Sequence, residues 1–443
     1  MAVAPRRVFL GSMAGGLVLS AFNRHVVASQ SPNNQIVLGM IGVGSMGMNR
    51  LREFVEFPDV RIAAICDVDT DHVDRAVAEI EKAGRPKPKT FGDFRRLLED
   101  REIDAVTVVT PDHWHALASV RAFEAGKDVF VEKPLSYSVA EGRMMADASL
   151  KYQRVTQMGN HIHNDTPNYR RVVELVRSGK LGRITRAHCW KTGPGAPRPA
   201  AADGAPGGGR GARPARSNTL PATLDYDFWL GPAPKRPYSP LRSHGSFRRF
   251  WDYSGGTFID FWAHIFDVTT WALDLKAPTA VSSVGGRFFL NDETETPDSV
   301  EATIEYPNLL VSFSLRPTPL PGFEHLGHIG CLFEGTDASL ATNYTENEVW
   351  VNGHKVNDFP RPDPTIPNSP GHLREFVDAV KSRNLETTCN ARYGHLLTKP
   401  GLLSNISYRT GRRLEWHDAT ERIVDDKDAS RYLSRSFRND YKF

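Results

Sequence analysis

Cysteine is scarce: Cys66, Cys189, Cys331 and Cys389 are the only four in 443 residues. They form no C-x-x-C and no zinc-type spacing, and nothing in their placement asks for a disulfide framework. A surplus of charge is also missing. The formal net charge is +3, and Arg6, Arg7 and Arg24 account for it, since the rest of the chain balances 52 basic against 52 acidic residues. No polyanion partner follows, and nucleic-acid binding lacks its electrostatic footprint. The N-terminal apolar stretch, Gly11 to Phe22, is too short and too glycine-rich for a stable membrane span. With 40% hydrophobic and 24% charged residues, the chain has the composition of a soluble globular protein long enough for two domains.

The first 28 residues read as an export signal. Arg6-Arg7 precedes the apolar stretch, and Val26-Val27-Ala28 offers small residues for cleavage, which suits a twin-arginine signal and a periplasmic destination. A protein exported in the folded state can carry a cofactor with it. Outside the cytoplasm no free dinucleotide pool exists, so such a cofactor is expected to be tightly held.

From residue 35 to 160, short apolar runs alternate with amphipathic stretches, the pattern of a doubly wound parallel sheet. The strand candidates are Ile36 to Ile41, Val60 to Cys66, Ala105 to Val109, Val129 to Val131 and Val155 to Met158. Val73, Ala76, Val77 and Ile80 recur at helical spacing and are expected to face the sheet. Ser138 with Glu141 makes a capping box, and Gly126 marks a helix stop. From 161 to 425 the rhythm changes. Strand-like runs at Arg183 to Lys191, Ala280 to Leu290, Val300 to Tyr306 and Leu309 to Leu315 predict an α+β domain with an open, mostly antiparallel sheet. Helices are expected at Tyr169 to Arg177, Leu373 to Lys381 and Gly394 to Arg409, the last broken at Pro400. The stretch 193–216 is Gly, Pro, Ala and Arg with almost no large apolar residue and reads as a flexible insertion, and 426–443 as a tail.

Gly42-Val43-Gly44-Ser45-Met46-Gly47 follows the first strand and opens a helix, the context that gives G-x-G-x-x-G its meaning. Gly42 permits the tight turn, Gly44 the approach of a pyrophosphate, and Gly47 close packing of helix on sheet. Asp67 ends the second strand where an acid binds ribose hydroxyls and repels a 2′-phosphate, so NAD is expected in preference to NADP.

Three further segments fall at strand carboxyl ends, where ligands of such sheets bind: Thr110-Pro111-Asp112-His113-Trp114-His115, Glu132-Lys133-Pro134 and Gly159-Asn160-His161-Ile162-His163. Lys133, fixed between a strand and a proline, can stabilise a developing alkoxide. His115 is assigned to the cofactor side, and His161 and His163 to the substrate side. In Gly255-Gly256-Thr257-Phe258-Ile259-Asp260-Phe261-Trp262-Ala263-His264, Asp260 and His264 are four apart on one helix face. His264 is then the base for a carbinol proton, with Asp260 orienting it, raising its basicity or contacting substrate. The histidine pairs 113/115 and 161/163 have no third ligand placed by sequence, so no metal is expected.

At these residues the chain resembles the glucose-fructose oxidoreductase, inositol dehydrogenase and rhizopine catabolism family (Gfo/Idh/MocA). The carriers are the glycine turn, Cys66-Asp67, Thr110-Pro111, Glu132-Lys133-Pro134, and Gly255-Gly256 with Asp260 and His264. The resemblance implies a Rossmann domain joined to an open-faced sheet domain, with the active site between them. It aligns Lys133, Asp260 and His264 with catalytic positions, and Thr110, Pro111 and Glu132 with cofactor contacts. It also implies homo-oligomers built through the second sheet.

The leading reading is an NAD-dependent oxidoreductase acting on a sugar or cyclitol carbinol with a retained cofactor. A second is a glycoside hydrolase working by transient oxidation, elimination and re-reduction on one NAD. A third is a binding protein that kept the fold without the chemistry, against which the intact acid-base set argues.

Overall fold

The computed structural model describes residues 35–193, 218–439 and 441–442. The export signal and nearly all of the glycine-proline-arginine insertion lie outside the described residues. The first half builds β1 (Ile36–Ile41), α1 (Ser45–Val55), β2 (Val60–Cys66), α2 (Thr70–Lys82), β3 (Lys89–Phe91), α3 (Phe94–Leu98), β4 (Ala105–Val108), α4 (Asp112–Glu124), β5 (Asp128–Glu132), α5 (Val139–Lys151) and β6 (Thr156–Gly159). The six strands pair in the order β3-β2-β1-β4-β5-β6, all parallel. Every residue of β1, β4, β5 and β6 is buried, as expected for strands covered on both faces. Val73, Ala76, Val77 and Ile80 of α2 are buried, and α5 starts at a complete Ser138–Glu141 capping box.

The second half adds α6 (Pro167–Arg177), β7 (Ile184–Thr192), α7 (Tyr226–Leu230), α8 (Gly256–Leu273), β8 (Ala280–Gly286), β9 (Ser299–Tyr306), β10 (Leu309–Arg316), β11 (Ile329–Gly335), β12 (Ser339–Thr342), β13 (Asn347–Val351) and β14 (His354–Val356). It continues with α9 (His372–Ser382), α10 (Ala391–Thr410), β15 (Leu414–His417), β16 (Arg422–Ile423) and the short α11 (Lys427–Ser430). Ten strands form one sheet, β14-β13-β12-β11-β7-β10-β9-β8-β15-β16, antiparallel except where β7 runs parallel to β10. Helix α8 lies on the face of this sheet that carries Cys189 and Cys331, both of which reach its Thr269.

Two expectations are corrected. The eleven-residue strand from Ala280 to Leu290 ends at Gly286, because the N–H groups of Phe288, Phe289 and Leu290 turn onto the Asp298 carboxylate at 2.8–3.0 Å instead of a neighbouring strand. Pro400 does not break α10, which runs through it with Leu397, Thr398, Leu402 and Leu403 all buried. Packing against α5, α8 and β8 outweighs the missing N–H, and Trp262 Nε1 donates to the Leu397 carbonyl (2.7 Å) beside the interruption. Helix α9 returns from the second half to cover the first sheet, with Leu373, Phe376 and Val377 in the same core as Ile36, Leu38 and Phe130.

Candidate active site

The glycine turn is shaped by close contacts. Gly42 has φ +84°, and a Cβ there would sit 2.5 Å from the Val109 carbonyl oxygen. A Cβ on Gly47 would sit 2.2 Å from the Gly42 carbonyl oxygen. Gly44 differs: a Cβ there would meet the His72 ring at an ordinary 3.5 Å and no backbone, and the residue lines a cleft. The first-turn N–H groups of α1 face that space. Asp67 accepts the Val43 N–H at 2.8 Å and the Asp69 N–H at 3.0 Å, which fixes its carboxylate beside the turn.

The cleft is about 1240 Å³ and runs from Gly42, Gly44 and Asp67 past Thr110 and Pro111 to Glu132 and Lys133. That exceeds the ~300–1,000 Å³ of ordinary small-molecule pockets and suits an extended dinucleotide. The open Gly44 cradle, the Asp67 carboxylate and the buried, unpartnered Thr110 hydroxyl fit such a cofactor. Ser45 and Met46 line the same end.

One wall comes from residues 218–250, which the sequence reading passed over. Thr70 N–H donates to the Thr223 carbonyl (3.0 Å) and Asp225 N–H to the Val68 carbonyl (2.9 Å), tying this arm to the end of β2. His244 Nε2 lies 2.9 Å from Asp69, and its ring is 4.5 Å from that of His72. Leu224, Tyr226, Trp229 and Phe250 pack into a core of their own beneath the arm. The ligand atoms of Asp69, His72 and His244 lie within 4.8 Å of one another, a grouping the sequence did not suggest.

At the other end, Lys133 Nζ donates to Asp260 Oδ1 at 2.5 Å and to the Asp260 carbonyl at 2.9 Å. Arg248, unforeseen from sequence, reaches the same Oδ1 at 2.9 Å. Burial acts to raise the Asp260 pKa, but the charges and hydrogen bonds of Lys133 and Arg248 overcome it and hold the carboxyl well below its ordinary value. His264 is next to this pair but does not bond to Asp260, contrary to the expectation that the acid orients it. Its Nδ1 is buried without a hydrogen-bond partner. Burial, then the charges of Lys133 and His161, push its pKa well below 6.5 and outweigh the upward pull of the Asp260 carboxylate. The reason is competition, since two cations already occupy Asp260.

His161 joins this group, with its ring 5.3 Å from that of His264 and 5.9 Å from that of Tyr344. His163 does not. It is buried, bonded to Asp267 at 3.0 Å and stacked on Trp271 at 4.1 Å, in a network behind α8. His115 also differs from its assignment: its two nitrogens lie 2.7 and 2.9 Å from the Pro134 and Thr110 carbonyls, so it braces two cleft turns from within the core. His113 and His115 sit on the first turn of α4 rather than on a strand, and both are buried. Glu132 lines the cleft, with one oxygen held by Arg50 at 2.7 Å.

Residues 36–160 match the oxidoreductase family with an NAD-binding Rossmann fold, and residues 209–294 match the same family's C-terminal alpha/beta domain. A curated relative, a glycosyl hydrolase family 109 protein of Shewanella sp. (strain W3-18-1), is 35% identical over 170 residues. That match spans 36% of this chain and only 36% of the relative's length. Among solved structures, levoglucosan dehydrogenase with NADH and levoglucosan aligns over 86% of this chain and 99% of its own, at 18% identity and a TM-score of 0.58. The WlbA dehydrogenase from Bordetella pertussis, with NADH and UDP-GlcNAcA, aligns over the same shares at 16% identity and a TM-score of 0.59. These likenesses show the fold. With its NAD-binding Rossmann half and its matching second half, the chain belongs to the Gfo/Idh/MocA oxidoreductase family.

Proposed function

We propose that this protein oxidises a carbinol of a sugar or cyclitol, with Lys133, Asp260 and His264 as the catalytic residues. The observation that carries the reading is the gathering of Asp260 and His264 about Lys133, which lines one end of the cleft whose other end is the glycine turn and Asp67. Bound NAD supplies the hydride acceptor. Lys133 spends two of its three N–H donors on Asp260 and keeps one for the reacting oxygen. His264, neutral and with an unpartnered nitrogen, takes the hydroxyl proton as the carbon gives up its hydride. His161 and Tyr344 form the substrate wall beside it. Sugar ligands in the names of levoglucosan dehydrogenase and WlbA support the substrate class. The test is to incubate purified protein with a panel of sugars and cyclitols and follow nicotinamide absorbance. No change with any of them refutes the reading.

A second reading is favoured by the glycosyl hydrolase relative: the same groups would oxidise a glycoside transiently and return the hydride after the bond is broken. Release of an aglycone without net NADH distinguishes it. The arm over the adenosine end of the cleft supports retention of the cofactor in either case. Two further proposals complete the picture. Arg6-Arg7 and the apolar run support twin-arginine export, checked by the N-terminus of protein recovered from the periplasm. Exposed Val284 and Phe288 at the end of β8 support self-association through the second sheet, checked by light scattering.

A further inference from the structure

Beside the catalytic group sits a cation that none of the roles above uses. Along β7, alternation puts Ala187, Cys189 and Lys191 on one face, and Cys189 there meets Thr269 of α8 at 3.4 Å. Lys191 therefore extends toward α8, and its Nζ lies 4.5 Å from the centre of the Phe261 ring. The same ring has Lys133 Nζ at 5.9 Å and the His264 ring at 5.5 Å. Lys191 thus shares one aromatic plate with the reacting end of the site.

Its charge has no carboxylate of its own. Among the described residues, Lys191 Nζ donates to the carbonyl of the adjacent Thr192 (2.6 Å) and forms no ion pair. Asp260 is the acid whose charge reaches it, and that carboxylate already serves Lys133 and Arg248. The neighbouring acids are committed elsewhere: Glu132 to Arg50, Asp165 to His372. Asp112 is buried against Ser254, and burial pushes its pKa up toward the neutral form. The sequence from 194 to 217 holds four arginines and a single acid, Asp203, so it brings no surplus of negative charge. Three cations, Lys133, Lys191 and Arg248, are gathered around one ionised carboxylate. A half-buried ammonium left in this state is costly unless a ligand completes it.

Building on the sugar-oxidising reading above, we infer that the substrate is a sugar acid whose ring carboxylate is bound by Lys191 across Phe261 from the reacting carbon. One uncommitted ammonium matches one negative charge, which favours a carboxylate over a doubly charged phosphate. A charge-assisted hydrogen bond of this kind is worth about 10-fold to 100-fold in affinity.

The experiment titrates the purified, NAD-loaded protein by calorimetry with glucuronate and galacturonate, with glucose and galactose, and with glucose 6-phosphate. Absorbance of the nicotinamide is followed in parallel. The wild type, Lys191→Met and Lys191→Arg are compared, and circular dichroism confirms that each folds. The expected result is binding of the acids at least ten-fold tighter than the neutral sugars, a ratio that collapses in K191M and recovers in K191R. Equal binding of acid and neutral sugar, a ratio that survives K191M, or tightest binding of the phosphate overturns the inference. Lys191-dependent preference for acids without any absorbance change upholds the binding role and refutes the oxidoreductase reading instead.

Discussion

Lys133 directs its ammonium at both the side chain and the carbonyl of Asp260, so its position is fixed from two sides before any substrate arrives. Removing a preorganised cation from a developing alkoxide costs ~10²–10⁴ in rate. Lys133→Met is expected to lower kcat by that factor, measured by single-turnover absorbance. Loss confined to KM would show that Lys133 only binds. His264 makes a separate prediction about pH. Burial and the neighbouring Lys133 push its pKa well below 6.5, so it stays neutral, and able to accept a proton, at pH values where an ordinary histidine is charged. The acid limb of kcat/KM is therefore expected below pH 6.5, with activity lost only as pH falls through the lowered value. An acid limb at or above 6.5 would exclude His264 as the base.

The turn between β1 and α1 separates two jobs that the sequence pattern writes with the same letter. A Cβ on Gly47 collides with backbone, and backbone does not yield as a side-chain tip does; Gly47→Ala should destabilise the fold by about 1–3 kcal/mol. Gly44 has φ −65° and a Cβ there would meet the His72 ring only at ordinary contact distance, so Gly44→Ala keeps the fold and intrudes on the pyrophosphate position. The expected outcome is a near-native melting temperature with NAD binding weakened at least ~10-fold, since a blocked approach forfeits several N–H contacts. Unchanged NAD affinity in that variant would refute the cofactor placement. Such local signals are why the first domain was legible: β1, β2 and the capping box are each determined by residues adjacent in sequence. The strands from β11 to β16 were not, because they are short and several carry mixed burial patterns. Pro400 misled for the opposite reason, since its helix is held by partners distant in sequence.

The candidate site residues divide the same way across the whole molecule. Gly42, Gly44, Asp67 and Lys133 were readable because strand ends place them, whereas Arg248 and His244 reach the cleft, and Lys191 the Phe261 ring near Lys133, only through tertiary packing of the second half. That packing also buries histidines. Burial, reinforced by Arg435, lowers the pKa of His113 to about 3, and burial beside Arg316 lowers that of His188 to about 4. His161, His244, His264 and His395 are shifted down as well, while His72, beside Asp67, is shifted up. The sign follows from proton counting. Below pH 6.5 the unfolded chain protonates histidines that the folded protein keeps neutral, so these histidines lower stability as pH falls; His72 opposes the trend, as do the carboxyls of Asp104, Asp112, Asp128 and Glu301, whose pKa values burial raises. Lowered carboxylates such as Glu421 do not enter until pH drops below their unfolded value near 4.5. His113, wedged between α4 and the arm with Nε2 3.1 Å from the Trp229 carbonyl, isolates the effect. Replacing it with glutamine keeps a donor there and removes the titration. Urea unfolding at pH 6.5 and pH 5 should show wild-type stability falling across the interval, and the fall should shrink by ~2 kcal/mol in His113→Gln. An equal fall in both proteins would mean that His113 is not held neutral, and that the arm does not seal α4 from water.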